Sequence, residues 1–452
     1  MLFRKKTRLF KMSDTIIALA TPPLKAALAL IRVSGKNAFE ITRKLFSNPS
    51  KIDGTRKMVF GEIRNGDRTI DQVMLLLYPS SSSMTGEEVV EISCHGSMVV
   101  ANEIIETYLA SGARYAKNGE FTERAFLNGK MDLIESEAVN EMINASTREG
   151  KDLSLLSLKG ETSSLIRPIE KSLADLLSLI EVNIDYPEFE DIEVANEEKI
   201  VSESEKIRKT IANLIQNGEK GKIIKEGVKV SIVGVPNVGK SSLLNALLDE
   251  DKAIVSPIAG TTRDLVEGSF AVNGIPFYLL DTAGLRKTED LIEKIGVQKS
   301  EESIQKSDLV LLVLDASSPL LPMGVESLLK GKLVLKVYNK SDLYNGKKET
   351  DGVYVSALHK DVENLKKKMV ETLGINAASF NTPSLSNARQ IGLLKQIDSL
   401  MSEAQKEAKE NYPIDLINVS IHKAWSLSKE LLGEDVTNDI SDEIFSRFCV
   451  GK

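Results

Sequence analysis

One eight-residue stretch constrains this chain more than any other: Gly234-Val235-Pro236-Asn237-Val238-Gly239-Lys240-Ser241. It satisfies G-x-x-x-x-G-K-[ST] at every fixed position. It lies between the apolar run VKVSIV and the helix-forming run SSLLNALL. A strand that turns through glycines into a helix is a phosphate cradle: backbone N–H groups wrap the phosphates, a lysine adds a point charge, and a hydroxyl ligates Mg²⁺. The runs FYLLD, LVLLVLDA and KLVLKVYN read as further buried strands separated by helical or loop stretches. Together they predict a parallel α/β sheet carrying the cradle.

Further motifs select the nucleotide. Asp281-Thr282-Ala283-Gly284 follows FYLL, where a carboxylate reaches the Mg²⁺ shell and a glycine N–H senses the γ-phosphate. Asn339-Lys340-Ser341-Asp342 follows LVLKVY and resembles the guanine-reading N-K-x-D of GTPases. The Asp342 carboxylate can accept from guanine N1–H and the 2-amino group, a donor pair that adenine lacks. Ser356-Ala357 resembles the companion S-A-K loop, with Leu358 in place of its lysine. Gly260-Thr261-Thr262-Arg263-Asp264 is placed as a switch, with Thr262 as second Mg²⁺ ligand beside Ser241. The nucleotide is therefore GTP. Leu285 occupies the position just after the D-x-x-G motif where Ras-like proteins carry a water-positioning Gln, so another group must orient water, and Glu289, Asp290 and Glu293 are the candidates downstream.

Around this module the pattern changes. TIIALA, ALALIRVSG, QVMLLLY and VVEIS predict a mixed α/β region, and MVVANEIIETYLASG predicts a helix ending at Gly112. Leu173, Leu176, Leu177 and Ile180 form a helical stripe, and others run through Ile391, Leu394, Ile397 and through Ile417, Ile421, Ala424, Leu427, Leu431. The expected architecture is multidomain α/β with the parallel sheet inserted into a helical domain. Its parts are an N-terminal extension at 1–12, a mixed α/β domain at 13–130, helical segments at 131–220 and 385–452, and the inserted domain at 221–384.

Composition excludes several classes. No apolar run approaches the ~20 residues of a bilayer span. Two cysteines, Cys94 and Cys449, cannot staple 452 residues, which fits a reducing, cytoplasmic setting. At net charge −7, bulk electrostatics do not coat nucleic acid, so any such contact uses local patches. The opening MLFRKKTRLFKM holds five basic residues and no acid, and reads as a disordered extension or an upstream start before Met12.

Beyond the nucleotide motifs, the chain carries ATPP, IRVSG, TGEEVVEISCHG, GEFTERAFLNGKMDLIESEAV, GTTRD, DTAGLR and a terminal FCVGK, in that order. In these it resembles the MnmE (TrmE) family of tRNA-modifying GTPases. The resemblance implies a tetrahydrofolate-binding N-terminal domain that forms a homodimer, a helical domain, and an inserted Ras-like P-loop GTPase domain. It implies a heterotetramer with the FAD-dependent protein MnmG (GidA). The pair would place an aminomethyl or carboxymethylaminomethyl group on C5 of the wobble uridine (position 34) of certain tRNAs, drawing on a 5-formyl- or 5,10-methylene-tetrahydrofolate. It also implies K⁺-stimulated hydrolysis. Glu293 becomes the water-orienting base, and Asn237 a K⁺ ligand together with Ser256, Ile258 and Thr261. The GTP site becomes Asn237, Val238, Gly239, Lys240, Ser241, Ser242, the loop Ser256, Pro257, Ile258, Ala259, Gly260, Thr261, Thr262, then Asp281, Thr282, Ala283, Gly284, Asn339, Lys340, Asp342, Ser356 and Ala357. Folate contacts fall on Arg32, Glu91, Lys130 and Lys452. The chain departs from the family after ATPP, where Leu24-Lys25-Ala26-Ala27-Leu28-Ala29 replaces a glycine-rich stretch.

The last residues pose their own question. Cys449 stands near Lys452, and a thiolate there is a candidate nucleophile or redox group, against a plain structural thiol. Two rival functions remain at this level. A ribosome-assembly GTPase of the Era or EngA kind predicts a second P-loop or a GxxG-bearing RNA module, neither of which the sequence contains. A non-enzymatic switch that recruits partners predicts negligible turnover.

Overall fold

The computed structural model describes residues 14–185, 196–249, 266–280, 302–321, 325–347, 349–375, 377–436 and 438–452. Residues 14–140 with 429–452 make one compact unit, and 141–428 make a second. No helix among the described residues is long and apolar enough to cross a membrane.

The first unit is built on β1 (Thr15–Leu19), β2 (Leu28–Ser34), β3 (Lys57–Asn65), β4 (Arg68–Tyr78), β5 (Val89–His95) and β6 (Ala113–Tyr115). Their order is β3-β4-β5-β2-β1-β6, and only β1 and β6 run parallel. Strand alternation assigns the two faces. Ala29, Ile31, Val33, Val90, Ile92 and Cys94 enter a core with Phe39, Ile41, Ile104 and Tyr108 from the helices Ala38–Leu45 and Met98–Ala110. Leu30, Arg32, Glu91, Ser93 and His95 take the opposite face. Gly112 follows the second helix at φ +103° and donates to Leu109 O, closing the helix where the sequence expected it.

Two strands of this unit escaped the sequence reading. β6 is only three residues long. β3 hides behind charged residues and Gly61, which looks like a strand breaker. The structure shows why glycine stands there: a Cβ would overlap the Phe46 ring that packs on this strand.

The second unit holds β7 (Val228–Val233), β8 (Val266–Val272), β9 (Ile275–Leu280), β10 (Leu309–Asp315), β11 (Leu333–Asn339) and β12 (Gly352–Tyr354). The order is β12-β11-β10-β7-β9-β8, all parallel except the β8–β9 hairpin. β10 is buried along nearly its whole length, as a central strand covered on both faces must be. The helices Ser163–Asp185, Glu197–Glu226, Ala388–Lys409 and Ile414–Leu432 supply the helical part. Leu173, Leu176, Leu177 and Ile180 are buried as one stripe, as are Ile391, Leu394 and Ile397.

The path of the chain explains how a sheet interrupts helices. The helix Glu197–Glu226 enters β7 through Gly227 at φ +80°. The chain returns through 384–386 to the helix Ala388–Lys409. Cβ atoms at Gly218 and Gly221 would overlap Leu385 O and Ser384 Oγ. The outgoing chain thus lies directly on the incoming helix, and the inserted sheet begins and ends at one place, the geometry an insertion needs. The architecture is multidomain α/β: a mixed sheet, a helical part, and an inserted parallel sheet with the cradle at its strand ends.

Candidate functional site

The cradle starts where β7 ends. A Cβ at Gly234 would overlap Val313 O of β10, so only glycine lets the loop pass so close. Asn237 (φ +65°) and Gly239 (φ +92°) adopt left-handed backbone, which glycine tolerates and asparagine accepts better than most residues. A Cβ at Gly239 would overlap the Asn339 amide. The helix Lys240–Asp249 begins there, with Leu243 N–H donating to Gly239 O at 2.9 Å. Its first-turn N–H groups are the donors a helix cannot satisfy internally. Lys240 Nζ donates to Gly234 O (2.8 Å) and Val235 O (2.9 Å). Burial holds its pKa below the ordinary lysine value. Carbonyl dipoles compensate that desolvation only partly, so an anionic ligand is the partner this ammonium favours. Ser241 and Ser242 are exposed on the same turn, as is Asn237 on the loop.

The Asn339–Asp342 and Ser356-Ala357 loops, expected from the sequence to read a base, converge on the same cradle. Asn339 ends β11 and is 2% exposed. Its Nδ2 donates to Val238 O at 2.8 Å, and its Oδ1 accepts from Ala357 N–H at 3.0 Å. One side chain therefore joins the phosphate loop, the N-K-x-D loop and the Ser356-Ala357 loop. Asp342 Oδ1 accepts from Ser356 Oγ at 2.6 Å, and this hydrogen bond holds its carboxyl below the usual carboxylate range, so it stays an ionised acceptor. Leu358 is 78% exposed, on a turn closed by Asp361 N–H donating to Ser356 O at 3.0 Å.

Asp315 went unread in the sequence. Lys340 has a left-handed backbone (φ +61°), and its Nζ donates to Asp315 Oδ2 at 2.7 Å. This hydrogen bond pulls the Asp315 carboxyl down to about 2. The available signal was position: Asp315 ends a parallel strand, the edge at which such sheets bind ligands. Ser256, Pro257, Ile258, Ala259, Gly260, Thr261, Thr262, Asp281, Thr282, Ala283, Gly284 and Glu293 lie outside the described residues.

A second cluster forms in the first unit. Arg32 and Glu91 face each other across β2 and β5. Arg32 Nε and Nη2 donate to Glu91 Oε1 at 3.0 and 2.8 Å, and Nη1 donates to Gly451 O at 2.9 Å. The chain end is a built element: Phe121 N–H donates to Lys452 O (3.1 Å) and Gly119 N–H to Cys449 O (3.3 Å). Phe445 and Phe448 are buried with Leu133. Lys452 is half-buried. Lys130 is exposed, with its stem close to Gly86. The Cys449 thiol is exposed, whereas Cys94 is buried and its thiol is pushed up to about 11 by that burial, which keeps it protonated and unreactive.

The relatives of the chain decide the matter. The family description "MnmE helical domain" matches residues 133–449, more than half of the chain, and "GTP-binding protein TrmE N-terminus" matches 15–130. The chain belongs to the MnmE family. It is 38% identical to the tRNA modification GTPase MnmE of Levilactobacillus brevis over 97% of this chain and 98% of that one. It is 37% identical to the tRNA modification GTPase MnmE of Bacillus subtilis over 97% of this chain and 100% of that one. A solved structure of a single-residue variant of Aquifex aeolicus Era bound to GDP.AlF4- is 28% identical over 39% of this chain and 67% of that chain, with a TM-score of 0.26. The MnmE match places Arg32, Glu91 and Lys130 in the N-terminal segment. Cys449 is the last residue of the helical match, and Lys452 lies just past it.

Proposed function

We propose that this protein hydrolyses GTP at the Gly234–Ser241 cradle and couples hydrolysis to tRNA modification. With an FAD-dependent MnmG partner it adds an aminomethyl or carboxymethylaminomethyl group to C5 of the wobble uridine, using a tetrahydrofolate one-carbon unit. The observation that carries the GTPase reading is the double hydrogen bond of Asn339, which makes the phosphate loop and the two base-reading loops one rigid receptor. Membership of the MnmE family supports the tRNA chemistry.

The residues fit the groups this function needs. Ser241 presents a hydroxyl, a hard oxygen donor of the kind Mg²⁺ takes, with Thr262 as the proposed second ligand. Asn237 offers an amide oxygen to K⁺, alongside Ser256, Ile258 and Thr261. When bound, these cations neutralise the charge that develops on the transferring phosphoryl oxygens. Lys240 adds a fixed charge at the β/γ-phosphates, Asp342 reads the guanine edge, and Glu293 orients the attacking water. Arg32, Glu91, Lys130 and Lys452 form the folate set. Both bonds from Arg32 to Glu91 fall on Oε1, leaving Oε2 as the acceptor offered to N–H groups of the pterin edge. The domains run 13–130, 131–220, 221–384 and 385–452, dimerising through the first, in the cytoplasm.

The test is direct. Turnover rises strongly when Na⁺ is replaced by K⁺, and Glu293→Ala abolishes turnover while GTP still binds. Deleting the gene removes the wobble-uridine modification, read by mass spectrometry of tRNA. Unchanged modification refutes the function, and cation-independent turnover refutes the K⁺ assignment.

A further inference from the structure

A ligand seated on the cradle and read by Asp342 has to cross the end of one strand. The phosphate loop starts where β7 ends, and the Asn339–Asp342 loop starts where β11 ends. β10 runs between those two strands. Gly234 comes up against Val313 O of β10, two residues before that strand ends at Asp315. Asp315 also lies level with Asn339 in the β10–β11 ladder. The middle strand therefore meets the path from phosphate loop to base-reading loop at Asp315.

This strand end is a chain of hydrogen bonds. Ser317 donates twice to Asp315 Oδ1, from its N–H at 2.9 Å and its Oγ at 2.6 Å. Ser318 N–H donates to Asp315 O at 3.1 Å, and Ala316 N–H to Asn339 O at 2.9 Å. The carboxylate is thereby oriented through one oxygen, and the other, Oδ2, accepts from Lys340 Nζ at 2.7 Å. A lysine left in solvent samples many rotamers. The Lys340 side chain is instead fixed at both ends, by its left-handed backbone and by Asp315. Its methylene stem is drawn across the gap between the ends of β11 and β10, about 5 Å between neighbouring strands. An apolar stem in that place offers a surface to the flat face of a ring whose edge Asp342 reads. The ammonium, held on Asp315, leaves the cradle to Lys240.

We propose that Asp315 is a positioning residue for the guanine base: it holds the Lys340 stem along the ring face and so sets nucleotide affinity without touching the nucleotide. The inference rests on the GTP reading of the cradle and deepens it. Two tasks are then divided between two carboxylates. Asp342 reads the edge of the base and gives selectivity. Asp315 acts through Lys340 on the face of the base, which all purines share, and gives affinity. The base keeps the same contacts before and during hydrolysis, because the reacting phosphate lies at the other end of the nucleotide. The effect of Asp315 therefore falls on KM and leaves kcat alone.

The experiment uses the full chain with Mg²⁺. A fluorescent GDP analogue reports affinity, displaced by GDP or by inosine diphosphate, which lacks the 2-amino group. Asp315→Asn keeps the acceptor for Ser317 and turns an amide toward the Lys340 ammonium. It is expected to weaken GDP about tenfold, the lower end for a charged hydrogen bond because both side chains are partly exposed. Inosine diphosphate weakens by the same factor, so the preference for guanine is unchanged. KM for GTP rises about tenfold while kcat stays within about twofold. Lys340→Met keeps an apolar stem without its anchor and weakens GDP by a similar factor. In that background Asp315→Asn adds less than about twofold, since the two residues act as one unit. Additive losses in the double variant overturn the proposal, as does a loss confined to GDP or a fall in kcat with KM unchanged. If Asp315→Asn does not fold, Lys340→Met carries the test, and unchanged GDP affinity there overturns the proposal. If the unaltered protein fails to bind GDP, the GTP reading of the cradle falls; if it binds and Asp315→Asn binds equally well, only the inference about Asp315 falls.

Discussion

Asn339 offers the sharpest test of how the nucleotide site is held together. Its two hydrogen bonds are both buried, to Val238 O and from Ala357 N–H. Asn339→Ala leaves a carbonyl and an N–H without partners, at about 1–3 kcal/mol each. Loop relaxation recovers part of this, so a net cost of about 3 kcal/mol in organising the receptor is expected. At ~1.4 kcal/mol per tenfold, nucleotide affinity falls roughly 100-fold. Asn339→Asp falls at least as far, since it keeps an acceptor for Ala357 but sets a carboxylate oxygen against Val238 O. Titration with a fluorescent GDP analogue measures the affinity, and urea unfolding checks that the protein stays folded. A folded Asn339→Ala protein that binds within twofold of the unaltered one refutes the strut.

Other perturbations test other parts. Gly451→Ala puts a Cβ 2.6 Å from Leu19 O at a residue with φ +91°, so it should cost about 1–3 kcal/mol locally and raise amide exchange at the chain end; unchanged exchange contradicts the built tail. Arg124 is 1% exposed and pairs with Asp14, Glu87 and Glu120; Asp14 and Glu120 keep Arg114 as a partner, so Arg124→Met chiefly strands the Glu87 carboxylate and should lower stability by about 1–3 kcal/mol in urea unfolding. The Asp315 carboxyl is depressed to about 2 by Lys340, so its contribution is present above the ordinary carboxylate range and is lost as pH falls through about 2. Asp315→Asn should therefore flatten the acid limb of the stability profile, and an unaltered limb counts against the pair.

Contiguous motifs were legible because their chemistry is local. The strand, glycine turn and helix of Gly234–Ser241 come from adjacent residues, and so does the Asn339–Asp342 loop. Helical spacing likewise marked the stripe Leu173, Leu176, Leu177 and Ile180, and these residues are buried, since burial follows the backbone period. Length and three-dimensional packing hid the rest. β3 was masked by Gly61, whose reason is a phenyl ring fifteen residues away in the chain. The Asn339 strut joins residues 101 positions apart, and the Arg32 bond to Gly451 O spans 419. No periodicity encodes such pairs, because they depend on which strand ends the sheet order brings together. The sequence alone thus determined that the chain binds a guanine nucleotide on a parallel sheet set among helices. Only the tertiary structure decided that Asn339 locks three loops into one receptor and that FCVGK is a fixed part of the first unit, since both rest on hydrogen bonds between backbone and side-chain groups that only folding makes neighbours.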